Sequence, residues 1–341
     1  MTSKLVLHAS VSGLMLFVSI PSVFAAAAID SDQCSLNGIV SGGGTIDSEK
    51  YTSVELATKT ATYPVWGGFG EGALAYTCSA WNFQADAALY YLSASGRDNI
   101  PVPAIDATAN SRQGHIGGAT FWRDPEQGAV GFSGSWVFEK GDQAAVTPTT
   151  NDRTRTDMSI WRIGAFGEIY ASDALTFGAS AHYFTGNIDL GTVNFKTIYT
   201  NIHGVEASAF AKFYPTDQLA LITQLDFTAN RWSLDAKNDY DTTGIAVTLG
   251  AEYLVADTNL SLFANGMYAF RSRQYVGQPS LLENTDLQAF IGFKYAFGGN
   301  SNATIVGRDR HGTYDNTSIF LEKLPDQFSI GSVGDVASDT L

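Results

Sequence analysis

The connections between the patterned segments of this chain obey one rule, and the rule decides the fold. From Trp81 onward, ten stretches of 10 to 14 residues alternate apolar and polar side chains: 81–93, 114–123, 128–139, 157–170, 174–186, 204–214, 218–230, 243–255, 259–271 and 286–297. A period of two is the mark of a strand whose two faces meet different surroundings. The gaps between them run 20, 4, 17, 3, 17, 3, 12, 3 and 14 residues, long and short without exception. A soluble sandwich has no reason to make every second connection tight. An up-and-down barrel in an outer membrane does, with short turns on the periplasmic side and long loops outside.

The short connections, "DPEQ", "ASD", "PTD" and "ADT", carry the Asp, Pro and Ser that suit tight reversals. In "FWRDPEQGAVGF", Pro125 fits the second position of a type I turn with Asp124 before it. Trp122 and Phe132 then belong to lipid-facing walls, and Arg123 and Glu126 to a solvated cap on the turn. The long connections are polar, as in "KGDQAAVTPTTNDRTRT", Lys140 to Thr156.

Strand length and facing agree with that reading. The segments exceed the five or six residues common in soluble sheets and match the roughly 9–11 tilted residues that cross a bilayer. In 286–297 one face holds Leu287, Ala289, Ile291, Phe293, Tyr295 and Phe297, and the other holds Asp286, Gln288 and Lys294. In 218–230, Leu219, Leu221, Leu225 and Phe227 share a face, with Ile222 an exception on the other. In 243–255 the apolar face is Ile245, Val247, Leu249, Ala251 and Tyr253, opposite Thr248 and Glu252. Charges fall on one face only, which fits an apolar exterior in lipid and a polar lumen. On the outward phase, Trp81, Trp122, Phe213, Tyr253 and Tyr295 fall near the turn ends. Tyr91, Phe138, Trp161, Tyr183, Phe227 and Phe270 fall near the loop ends, making two interfacial belts.

The fold class expected is therefore all-β, an up-and-down antiparallel transmembrane β-barrel of about ten strands, alternatively twelve. Weak strand character in "YTSVELATKT" and "EGALAYTC" supplies the two extra candidates. Eleven is disfavoured because bacterial barrels of this type have even strand numbers, and an even count puts both ends on the periplasmic side. Residues 1–25 read as a signal peptide, with cleavage within 25–28 at "VFAAAA". Residues 26–80 are an N-terminal periplasmic segment that contributes the possible extra strands, 81–297 the barrel, and 298–341 a C-terminal periplasmic tail. In an exported chain the two cysteines, Cys34 and Cys78, are expected to form a disulfide. Without a CxxC or clustered His, nothing points to a metal site or a cofactor. A net charge of −14 excludes nucleic acid as a partner, since phosphates would repel it.

"WNFQADAALYYLSA", "GHIGGATFWRDPEQGAVGFSGSW", "IWRIGAFGEIYASDALTFGASAHYF" and "LQAFIGFKYAFG" resemble the strand-turn-strand units of small porin-like bacterial outer-membrane β-barrel proteins. The resemblance covers residues 81–297 and implies outer-membrane lipid and the barrel-insertion machinery as partners. It also implies a last strand closing on an aromatic residue. Here "FKYAF", Phe293 to Phe297, is followed by 44 more residues, which leaves that signal internal and a periplasmic partner for the tail open.

Any function inside the barrel falls to the inward charges: Asp86, Arg162, Glu168, Glu206, Lys212, Asp226, Glu252, Arg271, Asp286 and Lys294. They read either as a selectivity lining for small polar solutes, mildly favouring cations, or as an ion-pair network that fills a narrow lumen. The function expected is a porin-like or structural barrel without catalysis. Two alternatives stand beside it: a surface-binding barrel acting through its long loops, and a lipid hydrolase using Ser180 and His182, which share a face of segment 174–186. The remaining mature histidines, His115, His203 and His311, read as surface or loop residues.

Overall fold

Twelve antiparallel strands close on themselves. They are β1 (Cys34–Ser53), β2 (Lys59–Cys78), β3 (Trp81–Asp98), β4 (Ile105–Asp124), β5 (Gly128–Val146), β6 (Asn151–Ser172), β7 (Leu175–Val193), β8 (Lys196–Thr216), β9 (Leu219–Ser233), β10 (Asp239–Leu254), β11 (Leu260–Tyr275) and β12 (Ser280–Phe297). Each pairs with the next, and β12 pairs back onto β1, from Gly38 against Phe297 to Ser53 against Leu282. A short helix, α1 (Ile305–His311), follows. The computed structural model describes residues 34–53, 59–78, 80–98, 105–146, 151–193, 196–233, 239–275, 280–298 and 304–314. The signal peptide expected at 1–25 lies outside them.

The strand count is twelve, the alternative expected beside ten, because the segment before Trp81 supplies β1 and β2. The alternation of β1 is hidden in sequence by Gly38, Gly42, Gly43 and Gly44. Gly43 is needed where it stands: a Cβ there would lie 2.1 Å from the Ile291 carbonyl oxygen and 2.9 Å from the ring of Phe69. Cys34 and Cys78 are register partners at the ends of β1 and β2, and a disulfide joins them.

At one end, hereafter the turn end, connections are tight. At the one between β4 and β5 the Gln127 amide donates to the Asp124 carbonyl at 3.1 Å, and the Asp124 carboxylate accepts from the Glu126 amide at 2.9 Å. At the other end, the long loops expected at 94–113, 140–156, 187–203, 231–242 and 272–285 are in large part strand. β5 runs on to Val146 and β6 begins at Asn151, for example. β6 has 22 residues. At about 3.3 Å per residue and a tilt near 40°, that is roughly 50 Å upright, twice the ~25 Å apolar band of such barrels. The surplus rises above the loop-end belt. There outward-facing charges pair across strands: Lys140 with Asp157 at 3.7 Å, Arg155 with Asp142 at 3.2 Å and Arg231 with Asp241 at 2.8 Å. Polar alternation on both faces made these upper strands look like loop.

Below that level the outer wall is apolar. Trp66, Phe132, Trp161, Ile163, Leu249 and Ile291 are each more than half exposed. So wide an apolar surface is untenable in water and is the wall that hydrocarbon requires. The chain is a twelve-stranded outer-membrane-type β-barrel.

Candidate functional site in the barrel lumen

Down the inward face of β7, the side chains at every second position are Ile188, Gly186, Phe184, His182, Ser180, Gly178 and Thr176. This one strand crosses three layers of the lumen: apolar near the loop end, ionic in the middle, and a docked segment at the turn end.

The upper layer corrects the expectation of a lumen polar throughout. Tyr90, Val137, Met158, Ile160, Phe184, Ile188, Ile202 and Trp232 pack together, with Phe69 against them. Phe184, Ile160, Ile188, Ile202 and Trp232 have no exposed surface. Twelve strands enclose a bore narrow enough for side chains to meet across it, so inward apolar residues form a cork. Their alternation with outward apolar residues on the same strands, as Ile160 with Trp161, blurs the period-two signal there.

The structure places all ten charged residues named from sequence on inward-facing positions, in two groups. In the middle layer Arg162 Nε donates to Glu206, and Arg271 Nη2 donates to Asp286. Asp226 accepts from Ser208 and, at 2.8 Å, from Gln224 Nε2. Asp86 accepts from Gln84 Nε2 at 3.2 Å and lies 2.9 Å from His115 Nε2. His115 is therefore a buried lumen residue on β4, 3% exposed, and neither surface nor loop. Two further inward carboxylates are not marked by the alternation: Glu71, which accepts from Tyr90 and, at 2.8 Å, from Ser41, and Glu139, which accepts from Ser111. Both lie where glycine or extended polar strand concealed the phase.

The other four charges belong to the third layer, built around residues 304–314. These residues of the tail, whose role the sequence leaves open, turn into the mouth. Thr304 caps α1 by accepting from the Gly307 amide at 3.0 Å, and the Ile305 amide donates to the Asp217 carbonyl at 2.7 Å. Ile305 is fully buried among Tyr214, Ala220 and Leu254. Arg308 Nη2 donates to Glu252 Oε1 at 2.5 Å and Nη1 to Ser261 at 2.9 Å, while Lys294 Nζ holds the other Glu252 oxygen at 3.3 Å. Asp309 accepts from Lys212 at 3.2 Å and from Tyr214 at 3.1 Å. Burial alone would raise its pKa. Lys212, Arg308 and Lys294 together outweigh that and hold the carboxyl well below the usual carboxylate range.

Past α1, Arg123 Nη1 donates to the Gly312 carbonyl at 2.5 Å, and Gln84 grips the Tyr314 backbone twice, donating at 2.6 Å and accepting at 2.7 Å. The Tyr314 ring stacks on Phe166 and Glu168 accepts from Tyr170 at 3.0 Å nearby. Arg123, 4% exposed, thus faces the lumen and holds the tail; it is no part of a solvated turn cap. Glu126 alone of that pair is exposed.

Ser180 is not the partner of His182. Ser133 on β5 is, with its Oγ 2.8 Å from His182 Nε2. Arg162 Nη2 lies 3.1 Å from His182 Nδ1, and Glu206 Oε1 lies 3.4 Å from it. A nucleophilic serine needs an imidazole whose Nδ1 donates to a carboxylate and whose Nε2 accepts from the hydroxyl. An Nδ1 that accepts from Arg162 puts the proton on Nε2, which then donates to Ser133, the reverse polarity. Ser133 and His182 are 4% and 2% exposed, sealed from any substrate in this conformation. Among the described residues no cluster of His, Cys, Asp and Glu is arranged to hold a metal ion.

No family model matches the chain, and no curated protein matches it. Among solved structures it is similar to the translocator domain of the autotransporter NalP from Neisseria meningitidis, with 14% identity, 76% of this chain and 88% of that one covered, and a TM-score of 0.49. It is similar also to the beta domain of the Bordetella autotransporter BrkA, at 11% identity, 76% and 99% coverage and a TM-score of 0.47. A third, the Pseudomonas putida toluene transporter TodX, has 10% identity, 78% and 90% coverage and a TM-score of 0.41. The likeness is one of barrel architecture.

Proposed function

We propose that this chain is an integral outer-membrane barrel that is closed at rest, filling a structural role in the envelope rather than serving as an open pore. The observation that carries the reading is the stack of an apolar cork over a paired ionic layer over a docked tail. A diffusion pore needs a continuous wet path, and charges that line it must be free to meet solute. Here the inward carboxylates and cations are engaged with one another, with neighbouring hydroxyl and amide side chains, or with the tail, so passive passage of small polar solutes requires rearrangement first.

In this reading the chain is exported by its N-terminal segment, is assembled by the barrel-insertion machinery, and keeps both ends and the tight turns in the periplasm. The acidic turns then face the periplasm, and the ion-paired upper strands face outward. No ester is hydrolysed, because the proton on His182 is committed to Ser133.

Planar-bilayer recording of the refolded mature chain tests the reading. A folded, heat-modifiable barrel that stays silent is the expected result. Discrete, long-lived conductance steps from the unaltered chain would sink it.

A further inference from the structure

The turn-end mouth has the character of a binding site whose occupant is a piece of the same chain. α1 has seven residues, far below the roughly 12–15 at which an isolated helix holds in water. It is helical because the mouth makes it so, and the docked state stands or falls with the mouth's contacts. Those contacts alternate in sign along the segment: Glu252 for Arg308, Lys212 for Asp309, the Ser172 carbonyl for Arg310, then Arg123 for the Gly312 carbonyl. Two apolar anchors, Ile305 and Tyr314, bracket the charged run. Arg308, Arg310 and Tyr314 are each less than one-tenth exposed.

Each strand partner of the segment lies at the turn end, and none belongs to the cork. On β7 the level of the segment runs from Thr176, which pairs with Lys212, to Ser180, which pairs with Phe166 beneath the Tyr314 ring. His182 stands above it, and Phe184 begins the cork. The segment therefore separates the middle ionic layer from the turn side, while the cork separates it from the loop side. The two closures are independent.

We infer that residues 304–314 form a releasable plug, and that the mouth is a peptide site that accepts this Arg-Asp-Arg segment, with Ile305 and Tyr314 as its anchors, in trans as well as in cis. The inference rests on the closed-lumen reading above. Release opens the middle layer to the turn side only, because the cork stays shut. The chemistry recognised is a short peptide of alternating charge between two apolar anchors, the kind of ligand whose ordering on binding keeps it exchangeable.

A thiol reporter tests this in the full chain, whose own two cysteines are joined. Ser180→Cys places a single reactive group at the inner edge of the plug, opposite Phe166, and below the cork. With a water-soluble maleimide, the barrel carrying Ser180→Cys alone is expected to react slowly. Adding Arg308→Glu, which sets a carboxylate against Glu252, is expected to speed the reaction about tenfold or more, since spoiling a buried ion pair shifts an equilibrium by more than that. A synthetic peptide of residues 300–320 in excess should restore protection, and the same peptide with Arg308→Glu should not. Equal rates with and without Arg308→Glu, in barrels that keep heat-modifiable mobility, overturn the plug. Failure of the natural peptide to protect overturns the exchangeable site. Should Arg308→Glu not fold, Asp309→Lys against Lys212 replaces it; if neither folds, the segment is a strut of the wall and the inference falls. Conductance by the unaltered chain would sink the closed-lumen reading without touching these rates. Equal rates beside a silent bilayer would sink the plug alone.

Discussion

Ser133 of β5 and His182 of β7 meet across a strand that lies between them, Oγ to Nε2 at 2.8 Å. They can do so because the residue paired with both is Gly164 of β6. A Cβ at Gly164 would stand 2.1 Å from the Ala181 carbonyl oxygen and 2.5 Å from the His182 ring. Overpacking of this kind costs about 1–3 kcal/mol, so Gly164→Ala should lower unfolding stability by that order in urea titrations of the refolded barrel. Gly266→Ala is the control: nothing lies within 4 Å of a Cβ there, and stability should hold. Equal effects at the two glycines would show that Gly164 is no spacer.

His182→Ala and Ser133→Ala should each leave ester and phospholipid turnover at the level of the unaltered protein, which is that of the blank. Turnover by the unaltered chain that either change abolishes would convert the pair into a catalytic one.

Burial sets the value of the ion pairs. Arg271 is 6% exposed against Asp286 at 1%, whereas the Arg231–Asp241 pair stands in solvent above the membrane. Removing one partner of a buried pair costs about 3–5 kcal/mol because a charge is left stranded. Arg271→Ala should therefore destabilise strongly in the same titrations. Arg231→Ala should leave the midpoint unmoved, and added salt should not change that ranking.

The disulfide closes 44 residues of sequence at the ends of β1 and β2. By loop-closure entropy a bridge of that span contributes about 4 kcal/mol, most of it through the unfolded chain. Cys34→Ser should lower the unfolding midpoint accordingly and leave the folded barrel's gel mobility unaltered.

Asp309 gives the docked tail its pH dependence. A carboxyl whose folded pKa is depressed contributes stability above its unfolded value, near 3.9, and loses it as pH falls toward the folded one. Lys212, Arg308 and Lys294 hold Asp309 below the usual range. Amide exchange at Ile305 and Gly312, corrected for intrinsic rates, should keep the same protection from pH 7 down to about pH 4 and lose it only in stronger acid. Asp309→Asn should lower protection from pH 7 to about pH 4 and converge with the unaltered chain in stronger acid. Loss of protection already at pH 6 would place the control elsewhere.

The outer wall was legible because lipid tolerates no charge: Leu287 to Phe297 and Ile245 to Tyr253 each show one clean apolar face. The inner wall was less so. Phe184 and Tyr183 are both apolar, one buried in the cork and one in the lipid-facing belt, and no period separates them. β1 was concealed for the opposite reason, since Gly38, Gly42 and Gly44 present no side chain to alternate. The partner of His182 was beyond reach because it depends on strand register across Gly164, while Ser180 is its neighbour only along the chain. α1 carries no signal of its own at seven residues. "GRDRHGTYDN" becomes readable only once Glu252, Lys212 and Gln84 are brought around it.

That encirclement has a consequence for assembly. The groups that hold residues 304–314 come from Asn37 on β1, Gln84 on β3, Arg123 on β4, Phe166 on β6, Lys212 on β8, Glu252 on β10 and Ser261 on β11. No contiguous half of the wall contains them all. A chain whose first and last strands have not met offers the tail only part of its seat, so a seated tail testifies that the ring is complete.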